Sequence, residues 1–347
     1  MKIAGRDIGA DHPPFIIAEM SGNHNQSLDR ALAIVDAAAA TGAHAIKFQT
    51  YTADTMTIDV REREFRVDDP KSLWVGKSLY DLYDEAHTPW EWHRPLFDRA
   101  RAHGMISFSS PFDETAVDFL ETLDAPCYKI ASFENTDHAL IRKAAGTGKP
   151  LIMSTGMAAI SDIDTSVKVA RAAGAQDIVL LKCTSAYPST PAAANIATIP
   201  HMRELFGCEI GLSDHTMGIG VAVASVVLGA TVIEKHFTLR RADGGVDSAF
   251  SMEPEEMALL VTESERAWQS VGRVRYGTSK EDEKSIIFRR SLYIVQDLKA
   301  GDVLTVQNIR AIRPGLGLPP GNLERVLGRK VRSDVKRGTA MNWDLIQ

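Results

Sequence analysis

A chain of 347 residues has room for one domain of roughly 250 residues and a small one of roughly 60. Its 44% apolar and 24% charged residues are ordinary globular values, and 39 basic against 45 acidic side chains leave a formal charge of −6. That balance argues against nucleic acid or an anionic membrane surface as partner, and the three cysteines, Cys127, Cys183 and Cys208, suit neither a zinc motif nor a disulfide framework.

The opening "MKIAGRDIGADHPP" lacks the apolar core of a secretory signal, and no apolar run approaches the ~20 residues of a membrane span, so a soluble, cytoplasmic protein is expected. Short apolar runs then alternate with helical patterns: "FIIAEM" (15–20), "AIKFQT" (45–50), "ISFSSP" (106–111), "YKIAS" (128–132), "LIMST" (151–155), "IVLLKCT" (178–184), "EIGLSD" (209–214) and "VIEKHFT" (232–238). After the first run, Leu28, Ala31, Leu32, Val35 and Ala39 share one helical face, opened by Ser27 as N-cap and closed by Gly42. Eight β units separated by helices predict an α/β fold, a (β/α)8 TIM barrel over residues 1–272. An open doubly wound sheet is the rival, but no Gly-rich dinucleotide fingerprint follows the first run. The connection from Tyr51 to about Trp90 is long enough to mark a functional loop or lid.

After Gly272 the pattern changes. Residues 273–285, "RVRYGTSKEDEKS", read as a polar linker whose charges are solvated. Residues 286–347 carry short β-like pieces, turns and many Gly and Pro, and read as a separate, mostly irregular β module.

Active sites of such barrels lie at the carboxyl ends of the strands. Here the runs end in Glu19, Lys47 with Gln49, Ser110, Lys129 with Ser132, Ser154, Ser185, Ser213 with His215, and Glu234 with His236. Lys47 and Gln49 share side-chain parity, as do Ser213 and His215, and Glu234 and His236, whereas Lys235 has the opposite parity and reads as structural. Any single polar strand end is explained by solvent, but a set this regular points to a site. Imidazoles at the ends of runs seven and eight can converge on one divalent cation, with Glu19, Glu134 or Asp247 holding its waters. Such mixed ligation suits Mn2+, Mg2+, Co2+ or Fe2+ better than structural zinc. Lys47 and Lys129, with the hydroxyls of Ser110, Ser132, Ser154, Ser185 and Ser213, fit a ligand with two anionic ends, of which phosphoenolpyruvate is an example. The rival use of either lysine is a Schiff base, which borohydride traps and chelators ignore.

The stretches "FIIAEMSGNHNQSLDRA", "GAHAIKFQTY", "ISFSSPFD", "YKIASFE", "PLIMSTGM", "CTSAYP", "GLSDHT" and "EKHFT" with "GGVDSAFSMEP" resemble the sialic acid synthase family in order and spacing. The module from Ile286, with "RRSLY", "KAGDVLT" and "RPGLGLPP", resembles that family's carboxyl-terminal antifreeze-like domain, a type III antifreeze or β-clip fold. Within the family, "EMSGNHNQSL" and "KFQTYTADTMT" are similar to the pseudaminic acid branch; the sialic and legionaminic branches more typically read Ile-Gly where this chain has Met20-Ser21.

The resemblance implies a metal-dependent condensation of phosphoenolpyruvate with an N-acetylated 6-deoxy hexose, 2,4-diacetamido-2,4,6-trideoxy-L-altrose, giving a nine-carbon nonulosonate and phosphate. Synthesis of N-acetylneuraminate or legionaminate from another N-acetylated hexose is the alternative. The resemblance further implies His215 and His236 as ligands of the metal, Mn2+ foremost with Mg2+ or Co2+ behind it, and Glu19, Glu134 and Asp247 around its waters and the reacting carbons. Lys47, Lys129, Ser110, Ser132, Ser154, Ser185 and Ser213 would hold phosphoenolpyruvate, although many sialic acid synthases carry Asn at the position of Ser185. Gln49, Tyr187 and Asp247 would approach the sugar. Arg313, in "IRPG", matches an arginine that enters the partner subunit's barrel, which implies a domain-swapped homodimer. A non-catalytic carbohydrate- or ice-binding role confined to residues 286–347 is the alternative from another class.

Overall fold

Aliphatic strands joined through amphipathic helices bury both faces when the strands form a parallel sheet covered by the helices. The computed structural model describes residues 1–70 and 72–347. Among them the strands are β1 (Phe15–Glu19), β2 (Ala45–Thr50), β3 (Ile106–Pro111), β4 (Tyr128–Ile130), β5 (Leu151–Ser154), β6 (Ile178–Cys183), β7 (Glu209–Ser213) and β8 (Val232–His236), all paired in parallel and closed into a barrel by β8 against β1. The expected TIM barrel is the observed one. The chain divides into two compact units, Met1–Gly272 and Arg273–Gln347.

Helix starts follow local caps. Ser27 Oγ accepts from the Arg30 N–H at 3.2 Å ahead of Leu28–Ala40, and the Asp113 and Asp137 carboxylates cap Glu114–Glu121 and His138–Ala145 in the same way. Each such cap stabilises its helix by about 1 kcal/mol. The helices bury Ile34, Val35, Leu96, Phe97, Val117, Leu120 and Ile141 against the outward residues of the strands, such as Ile46, Phe48 and Ile130.

Alternation along each strand sends the other set of residues inward, and these change character from bottom to top. The lower barrel is packed with Phe15, Ile17, Ala45, Phe108, Cys127, Ile152, Val179, Leu181 and Val232, capped from below by Ile3 and Ile8 near an N-terminal hairpin of Lys2–Ile3 with Arg6–Asp7. Gly211 is required there by close approach, since a Cβ would lie 2.3 Å from the Val232 carbonyl oxygen. The same inward register continues upward into Glu19, Lys47, Lys129, Ser154, Ser213 and Glu234, so a dry apolar floor lies beneath a polar mouth.

The long connection after β2 carries short helices of its own, Ala53–Met56 and Leu79–Ala86. It is anchored by Trp74, whose indole N–H donates to the Val246 carbonyl at 2.9 Å, and by Trp90, whose indole N–H donates to the Tyr51 carbonyl at 3.2 Å. In the second unit, β9 (Ser291–Ile294) pairs antiparallel with β10 (Ile309–Ile312). They pack with Leu304, Val326, Val331 and Met341 into a core separate from the barrel's. Residues 280–284 are exposed, and a short 3-10 turn, Glu283–Phe288, follows on from them. No helix among the described residues is long and apolar enough to cross a membrane.

Candidate active site

The barrel register sets the site. His236 on β8 pairs with Glu19 on β1, and Glu19 with Lys47 on β2, so three ionisable residues lie side by side at the mouth. Lys47 Nζ is 2.6 Å from Glu19 Oε2 and donates to Ser110 Oγ at 3.1 Å. Across the barrel, Lys129 Nζ stands 3.6 Å from Glu234 Oε1, which also accepts from Ser213 Oγ at 3.1 Å. Two buried lysines therefore face two buried carboxyl groups, so each has a partner of opposite kind. That matters because an unpaired ion at this depth costs several kcal/mol.

Burial, reinforced by Glu234, outweighs the Lys47 cation and pushes the Glu19 carboxyl up to about 7. Burial works against charge on Lys47 too, but Glu19 and Glu234 prevail and raise it. Lys129 is lowered, by burial first. Glu134, on the loop after β4, is pushed up to about 7 by burial, and its Oε2 is enclosed without a hydrogen-bond partner. Two carboxyl groups poised near neutrality in one cavity have the character of proton carriers.

Ser132 and Ser185 meet at Gly156. Ser132 Oγ accepts from the Gly156 N–H at 3.2 Å, Ser185 Oγ lies 4.0 Å from Cys183 Sγ, and Ser154 Oγ is buried without a partner. A Cβ built on Gly156 would lie 2.1 Å from Ser185 Oγ and 2.8 Å from Ser132 Oγ, so glycine is what leaves this cradle open. Its contents suit an anion, because hydroxyl and amide donors gather beside two lysines.

Beside this cradle the rings of His215 and His236 are 5.4 Å apart, centre to centre. The His215 Nδ1–H donates to the Thr184 carbonyl at 2.9 Å, which leaves Nε2 as the ring atom for a metal. His236 Nδ1 is buried without a hydrogen-bond partner, 3.5 Å from Asp247 Oδ2, and burial with nearby His215 holds the ring's pKa well below the usual imidazole range. Two imidazoles beside a carboxylate fit a divalent cation that draws its remaining ligands from water or substrate. Among the described residues, no three or more His, Cys, Asp or Glu side chains form a ready-made metal cluster.

Residues 34–276 match the NeuB family and residues 289–347 the SAF domain. The chain belongs to the NeuB family. It is 41% identical over 336 residues to the pseudaminic acid synthase of Helicobacter pylori, covering 96% of this chain and 98% of that one. To the pseudaminic acid synthase of Campylobacter jejuni (strain 81-176) it is 38% identical over 335 residues, covering 96% and 97%. Among solved structures, the N-acetylneuraminic acid synthetase of Leptospira borgpetersenii matches with a TM-score of 0.74 and 31% identity over 82% of this chain and 94% of that one. The barrel and the antifreeze-like module expected from the sequence are thus both present.

Within this NeuB-family barrel the first unit's candidates converge on one mouth: Gln49 Nε2 donates to Glu19 Oε1 at 2.9 Å, and Tyr187 packs on His215 at 4.3 Å between ring centres. Arg313 lies in the second unit, exposed at the end of β10. Sequence reasoning missed Ser21, Gly156 and Phe250. Phe250 is 2% exposed and packs on His236 at 4.9 Å and on Tyr187 at 5.4 Å, walling the imidazole pair from water. Nothing local marks it, since a phenylalanine in a loop gives no sign of what it will cover.

Proposed function

We infer that this chain condenses phosphoenolpyruvate with 2,4-diacetamido-2,4,6-trideoxy-β-L-altrose and water, giving pseudaminic acid and phosphate. The observation that carries this reading is likeness over nearly the whole chain to pseudaminic acid synthases, 41% and 38% identical, against 31% for the N-acetylneuraminic acid synthetase. The mouth is built accordingly. Phosphoenolpyruvate would lie with its two anionic ends against Lys47, Lys129 and the hydroxyls of Ser110, Ser132, Ser154, Ser185 and Ser213. Gln49, Tyr187 and Asp247 would face the sugar.

His215 and His236 would hold a divalent cation, Mn2+ foremost, which supplies Lewis-acid polarisation of the open-chain aldehyde. The C2=C3 π pair of phosphoenolpyruvate forms the new bond from C3 to the aldehyde carbon, the carbonyl π pair moves onto the aldehyde oxygen, which takes a proton from a carboxyl group of the site to become a hydroxyl, and C2 is left electron-poor. Water adds at C2 as Glu19 or Glu134 takes its proton, a role their position near neutrality suits. The C2–O bond to phosphate then breaks, and the fixed lysines and hydroxyls stabilise the departing anion without reorganising.

The reading predicts phosphate release only when phosphoenolpyruvate, the altrose derivative and a divalent metal are all present. A screen across N-acetylated hexoses with and without EDTA checks it. Equal or better turnover with N-acetylmannosamine or a legionaminate precursor would move the chain to another branch, and a borohydride-trapped lysine with no effect of EDTA would mean an aldolase.

We further propose that residues 1–272 are the catalytic domain and that the chain forms a domain-swapped homodimer in the cytoplasm, with Arg313 of residues 286–347 entering the partner's barrel. Exposed Phe133, Met157 and Met217, on loops after β4, β5 and β7, offer apolar surface around the mouth for such a cover. Two inactive variants, His236→Ala and Arg313→Ala, should then recover roughly a quarter of wild-type activity on subunit exchange, since half the dimers are mixed and each mixed dimer has one intact site. No recovery in an exchanged mixture would sink the swap.

A further inference from the structure

Ser21 has φ 47°, in the left-handed region that glycine occupies freely and a serine only under strain. It lies two residues beyond the end of β1. The Met20 N–H donates to the Lys47 carbonyl at 3.1 Å, and the Asn23 N–H closes a turn onto the Met20 carbonyl at 3.1 Å. Neither bond needs a side chain at position 21, and glycine would make this turn at no steric cost. The serine is nevertheless buried, 4% exposed, with its hydroxyl directed into the site.

That hydroxyl donates to Asp247 Oδ2 and accepts from Gln49 Nε2 at 3.1 Å. Gln49 Nε2 donates its other hydrogen to Glu19 Oε1 at 2.9 Å. Both amide hydrogens of Gln49 are thereby used, so its carbonyl oxygen remains as the acceptor for a ligand N–H. Ser21 occupies one oxygen of Asp247 in the same way and leaves the other. One hydroxyl thus joins the β1–β2 wall to the loop after β8, and it decides which atoms of two neighbouring polar groups stay available. Strain at a buried residue whose side chain bridges two site residues runs from outlier to function, the direction in which such an inference is sound.

We propose that Ser21 is a positioning residue of the sugar subsite: it orients the Gln49 amide and the Asp247 carboxylate to accept hydrogen bonds from acetamido N–H and hydroxyl groups, and its left-handed backbone is retained for that purpose. The proposal rests on the reading above that Gln49 and Asp247 face the sugar.

Ser21→Gly removes the hydroxyl and relieves the backbone together, whereas Ser21→Ala removes the hydroxyl and keeps the strain. On whichever N-acetylated hexose the wild type accepts, both variants are expected to lose about tenfold or more in kcat/KM for the sugar with KM for phosphoenolpyruvate unchanged. Ser21→Gly should melt at or above the wild type and Ser21→Ala below Ser21→Gly. A kcat/KM for the sugar within about twofold of wild type in Ser21→Gly overturns the proposal. So does an equal rise in KM for both substrates, which marks a general packing defect. If the wild type prefers a hexose other than the altrose derivative, the sugar assigned above is wrong, while the comparison of Ser21 variants on the preferred hexose still decides the role of Ser21.

Discussion

His236→Ala is expected to lower metal-dependent phosphate release at least about a hundredfold in a protein that still folds. The two halves of this expectation have separate causes. His236 contributes one of two imidazoles that stand 5.4 Å apart between ring centres, and a cation held by both would keep only one nitrogen ligand, His215, in the variant. The fold loses little, because buried His236 Nδ1 has no hydrogen-bond partner. An unpaired buried polar atom costs about 1–3 kcal/mol, and its removal offsets part of the packing lost against Phe250 and Tyr187. Calorimetric titration of Mn2+ into wild type and variant, beside thermal melts of both, separates the effects. Retention of metal-dependent turnover by the variant would remove His236 from the ligand set. Loss of turnover with a collapsed melt would make it a structural histidine.

The architecture was legible because each strand is a short aliphatic run that the barrel buries on both sides. The differences lie at the strand ends, where loop geometry takes over. The run at 128–132 stops at Ile130 because the Glu134 N–H turns back onto the Ala131 carbonyl at 3.2 Å, and the run at 178–184 stops at Cys183 where the Ala186 N–H bonds the Thr184 carbonyl at 2.9 Å. The polar strand ends marked the mouth, but which partners meet there depends on barrel closure. No spacing along the chain brings Lys129 to Glu234 or Ser21 to Asp247. Cys183, which fits no zinc or disulfide motif, is free and buried, yet it faces the site with Sγ 4.0 Å from His215 Nδ1. Burial pushes its thiol up, but His215 together with Ser132 and Lys129 outweighs this and brings it down to about 7. Such a microenvironment is a property of neighbours from other strands and is invisible in "KCTS".

Lys235→Met is expected to destabilise the barrel by about 3–5 kcal/mol, the cost of leaving one partner of a buried ion pair alone. Lys235 is 1% exposed and points outward from β8, away from the mouth, as its parity requires. Its Nζ donates to Asp214 Oδ2 at 2.9 Å, to the Thr216 carbonyl at 2.6 Å and to the Gly218 carbonyl at 2.9 Å, using all three ammonium hydrogens. Asp214 in turn accepts from the Thr216 N–H at 2.9 Å and the Thr216 hydroxyl at 3.1 Å. The loop after β7 is therefore folded around this one ammonium, and methionine of similar length would fill the volume while leaving a buried carboxylate without its counter-ion and two carbonyls without their ammonium donor. Asp214 and Lys235 are also the chain neighbours of His215 and His236, so the pair fixes from behind the two residues that meet in front. In urea the variant's midpoint should fall with the m-value unchanged. The double variant Lys235→Met with Asp214→Leu should recover part of the loss, because removing both charges ends the desolvation cost that removing one exposes. A midpoint equal to wild type in the single variant would mean that water reaches Asp214, and the two histidines would then owe their placement to the strands alone.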